Sequence, residues 1–309
     1  MIEADDSPDT PMSSAPSAAD LLAAAGNKAA TLIEALGYIQ RFHDKTVVVK
    51  LGGSIMDDEA ALASLLVDVV FMNYVGMQPI IVHGGGKAIN AAMAKAGLTP
   101  RWVNGKRYTD SETLRIAEGV LCGEINPFIV KFIRSQGCEA MGLTTLGSDV
   151  LFGEQITDDD GSDLGFVGKV VEVNRRLLQL LVQADAIPVI SSIAVDRDTG
   201  GKLNVNADTA AGAVAAAVKA DKFVVVSDTH GIRREMKDPS TRISSVTAEG
   251  IKHLVAEGII GGGMLPKVDA CLDALRGGVS KAHIIDGYSP HALLLEIYTA
   301  AGVGTEITL

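Results

Sequence analysis

Apolar residues follow two rhythms along this chain. Between residues 29 and 42, Ala29, Leu32, Ile33, Leu36, Ile39 and Phe42 recur at helical spacing and make one stripe. Thr31, Glu34, Gln40 and Arg41 lie largely off it. The spacing predicts an amphipathic helix within residues 18–43, ahead of the first strand. Its stripe fits either the chain's own sheet or a second subunit, and the pattern leaves both open. Elsewhere the apolar residues come in short unbroken runs: Val47-Val48-Val49, Pro79-Ile80-Ile81-Val82, Ile187-Pro188-Val189-Ile190, Phe223-Val224-Val225-Val226 and Ala282-His283-Ile284-Ile285. Runs of this kind, rich in β-branched residues and lacking a polar face, read as strands buried on both sides.

Helical patterns separate the runs, at about residues 57–74, 87–96, 111–121, 127–136, 177–184, 247–257 and 290–301. Asn204 to Asp208 opens a further, alanine-rich helix reaching about Ala220, and Gly261-Gly262-Gly263 precedes another. Strands alternating with helices predict an α/β fold with a mainly parallel sheet and right-handed crossovers. Pro188 is expected at an edge or strand start. Residues 104–110 read as a polar loop, and residues 140–166 as short strands and turns. Asp158-Asp159-Asp160-Gly161 reads as a solvated hairpin tip.

The 309 residues are 47% apolar but only 4% aromatic, so the core is aliphatic and alanine-rich. Lys and Arg number 27 against 38 Asp and Glu, a net charge of -11 with no basic run to offset it. That balance argues against nucleic-acid and anionic-membrane partners. Cys122, Cys138 and Cys271 are odd in number and form no Cys-x-x-Cys pair, which argues against a disulfide scaffold or zinc site. Residues 1–17 read as a disordered tail without the features of a signal peptide, and no run reaches transmembrane length. A cytoplasmic location is the expectation. No break in composition marks a linker, so two lobes are expected to share one sheet.

Three glycine-rich points carry the candidate chemistry: Lys50-Leu51-Gly52-Gly53-Ser54, His83-Gly84-Gly85-Gly86, and Gly261-Gly262-Gly263 ahead of Lys267. Glycines at a strand exit let backbone N–H groups turn toward an anion with no side chain in the way. None of the three is a P-loop or a dinucleotide fingerprint. Lys50 and Lys267 each stand beside a glycine turn, and Asp208 near a helix start suits holding two such lysines. Read singly, these are also an ordinary tight turn, a solvated Arg107, a dipole-favoured Asp208 and an N-capping Asn204.

Taken together, Val49-Lys50-Leu51-Gly52-Gly53-Ser54, Val82-His83-Gly84-Gly85-Gly86, Asn104-Gly105-Lys106-Arg107-Tyr108-Thr109-Asp110, Asn204-Val205-Asn206-Ala207-Asp208 and Gly262-Gly263-Met264-Leu265-Pro266-Lys267 resemble the acetylglutamate kinases of the amino acid kinase family. The resemblance runs from about Lys28 to Leu309. It implies a three-layer α/β/α sandwich around an open, mainly parallel sheet, with an acyl-substrate lobe at residues 44–200 and a nucleotide lobe at 201–309. It implies ATP-dependent phosphorylation, with Mg2+, of the γ-carboxylate of N-acetyl-L-glutamate in arginine biosynthesis. A kinase for an aminoadipate derivative and a non-catalytic arginine-sensing homologue are the alternatives.

By the same resemblance Lys50 and Lys267 stabilise the transition state and Asp208 orients them. Gly85 and Gly86 cradle the acyl acid, Arg107 grips its carboxylate and Asn204 holds it. Gly52, Gly53, Ser227 and Asp228 serve the nucleotide. After Ser227-Asp228 the chain has Thr229-His230-Gly231, where the family commonly carries an aliphatic or small residue before glycine. His291-Ala292-Leu293-Leu294-Leu295-Glu296 followed by Gly302-Val303-Gly304-Thr305 resembles the arginine-inhibited branch. That branch implies an arginine site near Tyr38, Lys222, His283 and Glu296, and a hexamer, a trimer of dimers interlaced by the N-terminal helix.

Overall fold

The computed structural model describes residues 17–52, 54–299 and 302–309, so nearly all of the expected tail lies outside the described residues. The chain divides into two units, Met1–Arg41 and Phe42–Leu309. The described part of the first holds the predicted helix, α1 (Ala18–Phe42), all but its last residue. Its stripe residues Leu32 and Ile33 are 70% and 71% exposed.

The second unit begins with β1 (Thr46–Leu51), α2 (Glu59–Tyr74), β2 (Gln78–His83) and α3 (Gly86–Lys95). A short hairpin, β3 (Trp102–Val103) and β4 (Lys106–Arg107), leads to α4 (Ser111–Glu118), α5 (Asn126–Ser135) and β5 (Glu139–Leu143). There follow β6 (Leu151–Thr157), β7 (Asp163–Val173), α6 (Arg175–Gln183), β8 (Ala186–Ser191), β9 (Ile193–Asp196), β10 (Lys202–Val205) and α7 (Ala207–Val218). The chain continues through β11 (Lys222–Ser227), β12 (Ser245–Thr247), α8 (Ala248–Ala256), α9 (Leu265–Arg276), β13 (Lys281–Asp286), α10 (Ala292–Tyr298) and β14 (Thr305–Thr308).

Eight of the described strands form one sheet in the order β12-β14-β13-β11-β1-β2-β8-β5, parallel except where β13 meets β14. β6, β7, β9 and β10 close into a small barrel. Alternate residues of the central strands enter opposite cores, as a strand's period of two requires. Val48, Val82 and Val225 join the core with α7 and α9, whereas Val49, Ile81 and Val224 join the one with α2 and α10. These two cores make the three layers. The alanine run of α7 permits a close approach, since a Cβ on Gly212 would lie 2.8 Å from the Ala270 carbonyl oxygen of α9. β1, β2 and β11 stand side by side and in parallel, so Leu51, His83 and Ser227 all leave at one carboxyl edge, where open α/β sheets bind ligands.

Four expectations need correction. Pro188 sits inside β8, an interior strand, opposite Met141 of β5 and one residue before the ladder with β2 starts at Val189. Residues 104–110 are not a plain loop. Asn104 and Gly105, at φ 46° and 81°, make the tight left-handed turn of the β3–β4 hairpin. The helices expected at 111–121 and 127–136 are joined by a π-helical stretch, Gly119–Ile125. The last helix ends at Tyr298, and β14, with no expected counterpart, pairs antiparallel to β13.

Candidate active site

The valine run of β1 ends in a lysine whose side chain shares a face with Val48, toward α7. At the start of that helix Asn206 is the N-cap, its side chain accepting from the N–H groups of Asp208 and Thr209 at 2.8 and 3.1 Å. This cap fixes Asp208 in the first turn, where the helix dipole favours a carboxylate. Asp208 Oδ1 lies 2.8 Å from Lys50 Nζ and Oδ2 3.2 Å from Lys267 Nζ, near the start of α9. One carboxylate therefore holds two ammonium groups and leaves the trio with one net positive charge. Lys50 is only 4% exposed. Burial pulls its ammonium below the ordinary lysine range; Asp208 opposes that and Lys267 adds to it. Burial works against charge on Asp208 too, but the two lysines together hold its carboxyl below the usual range. The three expected catalytic residues are brought together.

Gly52 follows at the exit of β1. A Cβ there would lie 2.8 Å from the Val226 carbonyl oxygen and 3.3 Å from Lys50 Nζ, so only glycine fits between β11 and the lysine. Gly53 lies outside the described residues. Across the edge, the buried Ser227 hydroxyl donates to Asp228 Oδ1 at 3.3 Å. Burial raises the Asp228 carboxyl, but the Ser54 and Ser227 hydroxyls and Lys267 bring it below its usual range. His230, in the unusual Thr-His-Gly segment, places Nδ1 2.6 Å from the buried carboxylate of Asp286.

The second glycine turn is shaped from below. His83 is fully buried and held neutral, its pKa lowered to about 4 by burial. Asn126 Nδ2 donates to its Nε2 at 3.1 Å, which leaves Nδ1–H to donate to the Gly84 carbonyl at 3.2 Å. The π-helical stretch packs on the next residue: a Cβ on Gly85 would meet Ile125 at 2.5 Å and Leu121 at 2.8 Å. At Gly86 the space is open.

Arg107 reaches this turn from β4. Its Nη2 donates to the Gly86 carbonyl at 3.2 Å and to Asn90 Oδ1 at 2.6 Å, and its Nη1 lies 3.5 Å from Met93 Sδ. The guanidinium stacks over the Trp102 ring at 4.7 Å. Arg107 is 8% exposed, and burial lowers its pKa. Among the described residues no acidic side chain is paired with it. A buried guanidinium lacking an internal carboxylate suits a carboxylate from outside. Asn204 joins the same wall through Thr109, whose hydroxyl accepts from Asn204 Nδ2 at 3.1 Å and donates to the Arg107 carbonyl at 3.2 Å. The sequence reading missed Asn90, Met93, Trp102 and Thr109. The Asn104-Gly105 pair was the signal for the hairpin that carries Trp102 and Arg107.

The four residues expected near arginine are divided between the units. Tyr38 lies in α1. In the second unit His283 Nδ1 lies 2.7 Å from Glu296 Oε1, while Lys222 stands on the adjoining strand, β11, with Nζ 5.0 Å from the Phe42 ring centre. Glu296 Oε2 accepts from the N–H groups of Val303 and Gly304 at 2.7 and 2.8 Å. Burial raises the Glu296 carboxyl, but His283 and those two N–H groups outweigh it and bring the pKa to about 2.

Comparison with known proteins shows the family. Residues 45–286 match the model of the amino acid kinase family. An acetylglutamate kinase of Methanothermobacter thermautotrophicus is 45% identical over 287 residues, which cover 90% of this chain and 98% of that one. Another, of Synechococcus elongatus, is 44% identical over 285 residues, 92% of this chain and 93% of the relative. Among solved structures, an N-acetylglutamate synthase from Neisseria gonorrhoeae shares the fold at TM-score 0.81 and 22% identity, covering 91% of this chain and 63% of that longer one. A carbamate kinase from Giardia lamblia shares it at TM-score 0.60 and 15% identity, over 86% of this chain and 98% of the other. The chain belongs to the amino acid kinase family and, within it, to the acetylglutamate kinases.

Proposed function

We propose that this enzyme transfers the γ-phosphoryl group of ATP to the γ-carboxylate of N-acetyl-L-glutamate, making the acyl phosphate used in arginine biosynthesis. The observation that carries the proposal is the single carboxylate of Asp208 holding Lys50 and Lys267, with net positive charge at the sheet edge. A side-chain carboxyl of this kind, with a free pKa near ~4.3, is already ionised at pH 7, so its attack on phosphorus needs no general base. The obstacle is bringing one anion to another. Two ammoniums and glycine N–H groups aimed at the phosphoryl oxygens answer that obstacle. In this reading Arg107 binds the acyl acid's carboxylate, Asn204 its acetamido part, and Gly85 and Gly86 its backbone side. Gly52, Gly53, Ser227 and Asp228 serve the nucleotide, with Ser227 and Asp228 in the second lobe and Gly85, Gly86 and Arg107 in the first.

Mg2+ fits here as the companion of ATP rather than as a resident ion. Both Asp208 oxygens are taken by lysines, and no group of three metal-ligating side chains occurs among the described residues. Mg2+ characteristically binds through substrate phosphates and its own waters. ADP release that depends on N-acetyl-L-glutamate is the direct test. Faster release with an aminoadipate derivative in a substrate panel would overturn the choice of acyl acid.

Regulation by arginine rests on Glu296. Its carboxylate is held ionised beside His283, a charge suited to a guanidinium. Glu296→Gln is expected to raise the arginine concentration for half-inhibition roughly tenfold or more, the effect of one lost charge-assisted contact. An unmoved midpoint rejects the site. The exposed apolar stripe of α1 supports a hexamer, a trimer of dimers joined through that helix. A chain lacking residues 1–43 should sediment as a dimer, and a truncated hexamer would exclude that role for α1.

A further inference from the structure

The acidic run Asp158-Asp159-Asp160 is not uniformly solvated, contrary to its sequence reading. Asp158 is 6% exposed, and both of its carboxylate oxygens are engaged from the β3–β4 hairpin. Oδ2 accepts from Asn104 Nδ2 at 2.5 Å, and Oδ1 lies 2.7 Å from Lys106 Nζ. Asn104 is the first residue of the left-handed turn, and Lys106 immediately precedes Arg107. The carboxylate thus ties the hairpin tip to the connection between β6 and β7.

The far side of Arg107 is tied to the same barrel. Thr109 N–H donates to the Leu164 carbonyl at 3.0 Å, and Phe166 N–H donates to the Thr109 carbonyl at 2.7 Å. Arg107 therefore lies on a segment fastened at both ends to β7 and its turn. The Thr109 tie is backbone to backbone, while the other runs through side chains: Asp158 engages both Asn104 and Lys106, and Asp160 Oδ2 adds only a longer contact to Asn104 Nδ2 at 3.3 Å. A two-residue hairpin has too few ladder bonds to hold itself. Asp158, an ordinary carboxyl ionised at neutral pH, is held further below the usual range first by Lys106 and then by Asn104.

We infer that Asp158 is a positioning residue for the acyl acid, holding the β3–β4 hairpin so that Arg107 stands at the glycine turn. The inference rests on the reading of Arg107 as the carboxylate-binding group. It concerns binding and not the chemical step, because Asp158 touches neither Lys50 nor Lys267, the two lysines paired with Asp208.

The test is steady-state kinetics on the full chain with N-acetyl-L-glutamate and ATP. Asp158→Asn, which keeps the shape but loses the charge, should raise KM for the acyl acid on the order of tenfold, below the ~10²-fold that a 1 Å misplacement can cause. KM for ATP and kcat should stay within about twofold, since the phosphoryl end is untouched. Lys106→Met removes the same tie from its half-exposed end without disturbing a buried site, and should raise the same KM. On an Arg107→Ala background, Asp158→Asn should add nothing, because a route through Arg107 has already been cut. An unchanged acyl-acid KM in Asp158→Asn and Lys106→Met, beside a raised one in Arg107→Ala, overturns the anchoring role alone. So does a further rise on the Arg107→Ala background. An unchanged KM in Arg107→Ala overturns the reading of Arg107 itself, and the role of Asp158 with it.

Discussion

Lys267→Ala is expected to lower kcat by roughly 10²–10³-fold, the loss typical of one transition-state donor in a water-poor site. With both lysines present, each oxygen of Asp208 is matched by one ammonium and one positive charge remains over. Without Lys267 the remaining pair is neutral, and the phosphoryl oxygens lose the field that lets two anions meet. The fold should survive, because this lysine begins a helix whose hold on α7 is made by other residues, among them the close approach of Ala270 to Gly212. Single-turnover ADP formation checks the step directly. The effects of Lys50→Ala and Lys267→Ala should fall well short of additive, since the two act as a unit. Near-normal turnover by the double variant would reject the two-lysine mechanism.

Asp208→Ala should damage stability as well as rate. It leaves Lys50 buried without its counter-charge and beside Lys267; breaking such a pair from one side typically destabilises by about 3–5 kcal/mol. The pH dependence carries the diagnosis. Burial already lowers the Lys50 pKa, and Asp208 is the chief influence raising it. With Asp208 gone the folded-state value falls further below the unfolded value near 10.5, so the unfolded chain binds more protons and stability rises with pH. Urea unfolding of the variant should therefore show its largest loss below the lowered folded-state value of Lys50, shrinking as pH rises through that value and gone near the unfolded value of 10.5. Lys50→Met added to Asp208→Ala should restore much of the stability and none of the activity. A loss independent of pH would mean that the carboxylate matters for its shape alone.

Much of this arrangement was legible because its parts are local. The Val47–Val49 run, the glycines behind it and the alanine-rich helix each announce an element within a few residues. Lys50 and Lys267 stand out because a lysine beside a glycine turn is unusual company. The surroundings of Arg107 were not legible. Asn90, Met93 and Trp102 meet it only once α3 and the hairpin fold together, and no spacing in the chain predicts that meeting. Asp158 was misread for a related reason: a run of three aspartates looks solvated until a lysine 52 residues earlier is brought to one of them. The π-helical stretch escaped notice because no residue spacing in Gly119–Ile125 marks a switch from the α-helical to the wider register. β14 is a four-residue strand, too short to show a period.

The bridge made by Asp208 also has a meaning in time. Its two lysines are separated by the whole run from residue 50 to residue 267, and the aspartate lies 59 residues before the second of them. During synthesis, a ribosome that has finished the acyl-substrate half has made Lys50 but neither of its companions. The nascent chain then holds Lys50 and Arg107 but not Asn204, Asp208 or Lys267. Catalytic competence thus arrives in one step, when α9 docks on α7, and a chain stopped earlier is silent rather than slow.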